Sequence, residues 1–173
     1  MKVTNLMTPV DEYKTIGLDA LLGEVVVALA DSKHRDILVL DESGAFAGVL
    51  TMSDIIMALE PNYKKLGKKD LDSDILSNRF VADLFKEFDL WSNTLADLCK
   101  KGCNIKVADA MYTPAEEEYL DQDSDLEHGV HHYVIGTHQP IIVRNNGDVT
   151  GVLRMADVFE EIIKRMNVCS CEQ

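Results

Sequence analysis

The sequence predicts an α/β (α+β) protein: two β-α-β-β-α units packed sheet to sheet, with a helical insert between them. Three observations carry this expectation. The stretch G-V-L-T-M-S-D at 48–54 returns as G-V-L-R-M-A-D at 151–157, 103 residues later. The residues around it recur at nearly the same spacing: V-T-N-L-M-T-P at 3–9 matches V-A-D-A-M-Y-T-P at 107–114, and residues 38–48 match 141–151. Within each copy, apolar spacing switches between strand-like and helix-like periods.

Taken in order, residues 13–16 and 118–120 read as short opening strands. Leu18, Leu21, Leu22, Val25, Val26 and Leu29 then follow helical spacing, and Leu126, Val130, Tyr133 and Val134 offer the equivalent face in the second unit. Strands follow at 37–40 and 141–143, then a turn holding E-S-G or N-N-G, then strands reaching Leu50 and Leu153. Asn146-Gly147 between two apolar runs is a strong hairpin signal. A second helix closes each unit; in the later copy Val158, Phe159, Ile162, Ile163 and Met166 form one apolar stripe. A unit of this size cannot bury both faces of its sheet alone, and packing two together solves that.

The chain divides at this level into 1–60, an insert at 61–106, and 107–173 with a C-terminal tail. The insert opens with N-Y-K-K-L-G-K-K (62–69), read as an exposed loop. Leu76, Phe80, Leu84 and Phe88 then recur every four residues, with Val81 and Phe85 beside them, and Asn93 is placed to cap a short helix ending at Gly102. Two roles suit these helices: a cap over the repeats, or a partner or dimer surface.

Charge and composition narrow the function classes. A net charge of −13 and a pI near 4.7 argue against broad binding to nucleic acid or anionic membranes, which needs basic surface. No apolar run approaches the roughly 18 residues of a membrane span, and the first residues lack a signal-peptide apolar region, so a cytoplasmic location is expected. Cys99/Cys103 and Cys169/Cys171 read as reduced thiols, since C-x3-C and C-x-C lack the usual zinc spacing. His128, His131 and His132 interleave with apolar helix positions and read as surface residues rather than metal ligands. The acidic residues at 116–118 and 121–125 read as solvated surface. The sequence contains no G-x-S-x-G, H-E-x-x-H or phosphate-loop motif, and a non-catalytic role is expected.

The recurring segment itself has two readings. Structurally it is a buried strand running into a helix, with Thr51 and Asp54 in the T-x-x-D spacing of a capping box. Functionally, free amides at a helix start favour phosphate, and a carboxylate one turn on can accept from ribose hydroxyls. Arg154 in place of Thr51 cannot cap, but it can pair with phosphate through two nitrogens. Lys33-His34-Arg35 is a small basic cluster just before the central strand, either a solvated loop or part of a ligand site.

The M-T-P and M-Y-T-P openings, the strands L-V-L-D (from Leu38) and P-I-I-V (from Pro140), and the two glycine-to-aspartate segments resemble a tandem pair of cystathionine-β-synthase (CBS) domains, a Bateman module. The resemblance spans about 3–60 and 107–168 and leaves out the insert. It implies two repeats related by a pseudo-two-fold axis, and a regulatory ligand sensor whose inter-repeat clefts take adenosine compounds: AMP, ADP, ATP or S-adenosylmethionine, with Mg2+ as a candidate companion. Carried over by position, the ligand residues are Thr51 and Asp54, with Lys14, Thr15, His34, Arg35, Asp36 and Ile37; the second copy supplies Arg154 and Asp157, with His138, Gln139 and Pro140. Asp36-Ile37 stands where the family often has a proline, which Pro140 supplies in the second copy. The resemblance also implies a homodimer and a protein target. The alternative is a ligand-free module assembling through the repeats and the aromatic insert.

Overall fold

The structure is a computed structural model, describing residues 1–32, 34–65, 78–136 and 138–170. Two small sheets lie back to back. One holds β2 (Thr15–Gly17), β3 (Asp36–Leu40) and β4 (Phe46–Thr51) in the order β2-β3-β4. The other holds β1 (Thr8–Pro9), β5 (Leu120–Asp121), β6 (Ile141–Asn145) and β7 (Asp148–Leu153) in the order β1-β7-β6-β5. Each central pair is an antiparallel hairpin, flanked by a parallel strand. Helices α1 (Leu22–Ala30) and α2 (Met52–Leu59) belong to the first sheet, and α6 (Leu126–Val134) and α7 (Met155–Ser170) to the second. Between them come α3 (Asn78–Glu87), α4 (Leu95–Gly102) and the short α5 (Val107–Ala110).

The unbroken apolar runs of the central strands follow from burial on both faces. Ile37 and Val39 turn toward α1, joining Leu22, Val25 and Leu50. Leu38 turns the other way and meets Tyr13, Val49, Ile142 and Val152 between the sheets. Ile141 and Val143 complete the alternation against Leu126 and Tyr133 of α6. In the later hairpin, Asn146 and Gly147 both adopt positive φ (51° and 96°), as the tight turn requires.

The opening run of each unit crosses to the other. Strand β1 pairs with β7, setting Thr8 opposite Val152 and Pro9 opposite Gly151. In the same manner Tyr112 exchanges two 2.8 Å backbone hydrogen bonds with Val49 of β4. Val3 is buried in the core under α6, and Val107 in the core under α1. A Cβ on Gly48 would lie 2.7 Å from the Tyr112 carbonyl oxygen and 2.9 Å from the Met111 sulfur. On Gly151 it would lie 2.6 Å from the Thr8 carbonyl oxygen and 3.2 Å from the Met7 sulfur. The recurring glycines and the recurring methionines are therefore two sides of one contact.

Several local expectations change. Tyr13 precedes its strand and is buried between the sheets; Glu118 lies in a 3-10 turn (Glu116–Glu118) ahead of β5. Val26 and Val134 point to solvent, Val134 at 78% exposure, because the buried face of α6 runs through Leu126, Gly129 and Tyr133 instead. Two of the five residues of the α7 stripe are covered: Val158 is buried and Ile162 partly so, while Phe159, Ile163 and Met166 are exposed. The cap of α4 is Thr94, not Asn93; its hydroxyl accepts from the Asp97 amide at 3.2 Å. Leu76, the Phe80 side chain and residues 66–69 lie outside the described residues, while the first half of the 62–69 stretch belongs to a 3-10 helix (Pro61–Lys65) rather than a loop.

The insert docks through α4 and its C-terminal end. Leu98 is buried, and the carbonyls of Ile105 and Cys103 accept from the Leu22 and Gly23 amides at 2.9 and 3.2 Å, satisfying the start of α1. Glu60, 2% exposed, accepts from the amides of Asn62 (3.2 Å) and Trp91 (2.7 Å). On α3, by contrast, Val81 and Phe85 are exposed. No helix among the described residues is long and apolar enough to cross a membrane.

Candidate ligand clefts between the repeats

Strand β4 passes into α2 at Thr51, whose extended backbone ends the strand and starts the helix. The Thr51 hydroxyl accepts from the Asp54 amide (3.3 Å), while Asp54 Oδ2 accepts from both the Thr51 amide (2.8 Å) and hydroxyl (2.6 Å). This is a complete capping box. The second carboxylate oxygen of Asp54 meets Nε2 of His138 from the other unit at 3.3 Å. That imidazole lies flat on the Tyr112 ring, 3.9 Å between centroids and 10° from parallel. Its Nδ1 is buried without a hydrogen-bond partner among the described residues.

At the equivalent turn from β7 into α7, Arg154 grips Asp157 through two bonds, Nε to Oδ2 at 2.7 Å and NH2 to Oδ1 at 2.5 Å. Its NH1 stands 3.2 Å from Nδ1 of His34, again across the two units. His34 packs on Tyr13 at 4.5 Å, tilted by 49°. The Tyr13 hydroxyl in turn donates a very short hydrogen bond to Asp36.

Two cavities flank these contacts. One of about 300 Å³ is lined by Tyr13, His34, Asp36, Gln139, Pro140 and Arg154, among others. The other, about 430 Å³, is lined by Arg35, Asp36, Thr51, Ser53, His138 and Gln139, with Met52. Arg35, Asp36 and Gln139 border both.

The two acids nearest the cavities are pushed in opposite directions. Burial raises the Asp54 carboxyl, but hydrogen bonds from His138 and Thr51 outweigh it and hold Asp54 below its ordinary value of 3.8. For Asp36 burial wins over the Tyr13 hydroxyl and the nearby His34 and Arg154, and its carboxyl rises. A depressed carboxyl adds stability that is present above the ordinary value and lost as pH falls through the folded one. The stability gap between the wild type and Asp54→Asn is therefore expected to be widest near neutrality and to close below pH 3.8, measured as urea midpoints from pH 7 down to 3. A gap independent of pH would contradict this.

The CBS-domain family model matches residues 3–61. Among solved structures, CBSX2 in complex with AMP is 19% identical over 94% of this chain and 97% of that one, with a TM-score of 0.62. A CBS domain-containing protein of unknown function from Bacillus anthracis is 15% identical over 95% and 94%, at 0.64. The CBS domain of a bacterial CNNM/CorC family Mg2+ transporter in complex with ATP is 17% identical over 94% and 87%, at 0.62. A search of curated proteins finds no match by sequence. The chain has the fold of a tandem CBS pair.

Between the two units, the cavities gather Thr51, His34, Arg35, Asp36, His138, Gln139, Pro140 and Arg154. Asp54 and Asp157 sit one layer behind the cavity walls, Asp54 at only 4% exposure. Ile37 departs from the expectation: strand alternation turns it into the core under α1. Lys14 and Thr15 also lie outside both linings, on the edge of the sheet where the Lys14 carbonyl accepts from Leu38. Lys33 falls outside the described residues.

Ser53, Met155 and Ala156, which add to the linings, stood inside the recurring segments and were legible there. Tyr13 and Tyr112 carried no comparable signal: the crossing of the second opening run brings Tyr112 to the clefts, while Tyr13 reaches His34 within its own unit. Away from the clefts, His128 and His131 are exposed on α6, and His132 is half-buried. Among the described residues no group of three or more His, Cys, Asp or Glu side chains is gathered as a metal site. Cys99 and Cys103 are free and exposed; the Cys169 side chain and Cys171 lie outside the described residues.

Proposed function

We infer that this protein is a regulatory module that binds an adenosine-containing ligand in the clefts between its CBS repeats and signals by changing shape or partner contacts. One observation carries the reading: each cavity is walled by both repeats, with the strand-to-helix turn of one facing the pre-strand residues of the other. Thr51 and the helix start behind it suit a phosphate in the larger cavity. Arg154 suits one in the smaller cavity, through the nitrogen edge not used by Asp157. The fold relatives solved with AMP and with ATP support this ligand class.

A thermal-shift panel of AMP, ADP, ATP, S-adenosylmethionine and NAD, each with and without Mg2+, tests it. A ligand at 100-fold its dissociation constant is expected to stabilise the fold by about 2.7 kcal/mol. No shift with any adenosyl compound, in protein shown to be free of carried-over nucleotide, overturns the reading. The alternative, a ligand-free assembly module, then takes its place. It would assemble through the two repeats and the insert, whose α3 exposes Val81 and Phe85, as a homodimer that light scattering would register.

A further inference from the structure

We propose that His138 and His34 are latches, each standing where a ligand in its cleft would reach the strand-to-helix turn of the opposite repeat. The inference rests on the reading of the clefts as nucleoside sites and adds a gate to it. The two histidines are 104 residues apart, at the same place in each repeat, just before the central strand. Each spans the inter-repeat gap, His138 to Asp54 at 3.3 Å and His34 to Arg154 at 3.2 Å. Each also leans on a tyrosine ring. Those tyrosines, Tyr13 and Tyr112, are 99 residues apart and so fall off the repeat spacing. A histidine-on-tyrosine contact, stacked in one cleft and tilted in the other, has thus been built twice from different positions, which simple inheritance of the repeat does not explain.

The layering gives the latch its meaning. His138 lines the larger cavity and Asp54 behind it does not. A ribose diol that is to reach Asp54 must first take the place of Nε2, since the other carboxylate oxygen is held by Thr51. When the imidazole swings away it also uncovers the face of Tyr112, a flat apolar surface suited to a planar heteroaromatic ring. Binding of a nucleoside therefore exchanges bonds between repeats for bonds to ligand, which ties occupancy to how the two repeats are held together. The displaced contacts are a standing cost on affinity.

Calorimetric titration of AMP and ATP into the wild type, His138→Ala and His34→Ala tests the gate. His138→Ala is expected to bind about tenfold more tightly, since one charge-assisted hydrogen bond and a ring contact no longer have to be broken. His138→Phe keeps a ring on Tyr112 without the bond to Asp54, and an intermediate gain is expected. In wild-type protein the His138 ring proton signals should leave the shielding of Tyr112 as AMP is added, a readout that does not depend on any variant folding. Weaker or unchanged binding by His138→Ala, or His138 signals that stay in place at saturation, overturns the latch and leaves the nucleotide reading standing. No binding by the wild type or either alanine variant overturns both.

Discussion

Gly48→Ala is expected to destabilise the fold by roughly 3 kcal/mol, read as a lower urea midpoint with the native spectrum retained at low denaturant. The added Cβ arrives 2.7 Å from the Tyr112 carbonyl oxygen and 2.9 Å from the Met111 sulfur. The sulfur can give way, but the carbonyl belongs to backbone that also exchanges two hydrogen bonds with Val49. Moving that segment weakens both bonds and draws Val107 from the core under α1. Gly151→Ala should behave alike, because there the obstacle is the Thr8 carbonyl oxygen at 2.6 Å. Gly17→Ala is the control: a Cβ there meets nothing within 4 Å, and a change within about 0.5 kcal/mol is expected. Equal effects at Gly17 and Gly48 would show that backbone freedom, rather than the crossing contact, governs these positions.

Glu60→Ala should loosen the insert. The Glu60 side chain is 2% exposed, and its two oxygens accept from the Asn62 and Trp91 amides. Alanine leaves both donors without their acceptor, a cost of about 1–3 kcal/mol for each that stays buried, so a total near 3 kcal/mol is reasonable. The turn it holds is itself unfavourable, with Asp89 and Trp91 at φ of 51° and 57°, a conformation that persists only when its surroundings enforce it. Trp91 is the chain's only tryptophan, so its emission reports the turn directly. Its ring donates to the Tyr63 hydroxyl at 2.9 Å, and a red shift in Glu60→Ala at low temperature would mark release of that contact. Glu60→Gln keeps one acceptor and should fall between. An unchanged emission and midpoint in Glu60→Ala would mean that apolar packing alone, through Leu90 and Leu98, fastens the insert.

Much of this protein could be read from residue order because its signals are local. A strand buried on both faces shows itself as an unbroken apolar run, as at 37–40 and 141–143. The Thr51–Asp54 box is set by a spacing of three, and the Asn146-Gly147 turn by the tolerance of those residues for positive φ. The misreadings share another cause. Helical spacing marks Val26, Val134, Phe159 and Ile163 as apolar without saying which arc of the helix finds a sheet to cover it. Glu60, an acid at the end of an apolar helix, gives no sign that a neighbouring amide and the distant one of Trp91 will bury it.

On its own, the sequence determined that the chain is built twice over from one pattern. It also placed the strand-to-helix turns at Thr51 and Arg154 and made those turns chemically unequal. Only the tertiary structure decided that the opening runs change places, which turns Gly48 and Gly151 from incidental members of a motif into points of backbone contact. It alone set His138 against Asp54 and His34 against Arg154, pairs 84 and 120 residues apart. The physical reason is one of range. Backbone preference and side-chain periodicity act over a few residues and leave their mark in order along the chain. The pairing of one repeat with the other depends on which buried surfaces fit, and that is settled only when both sheets are packed.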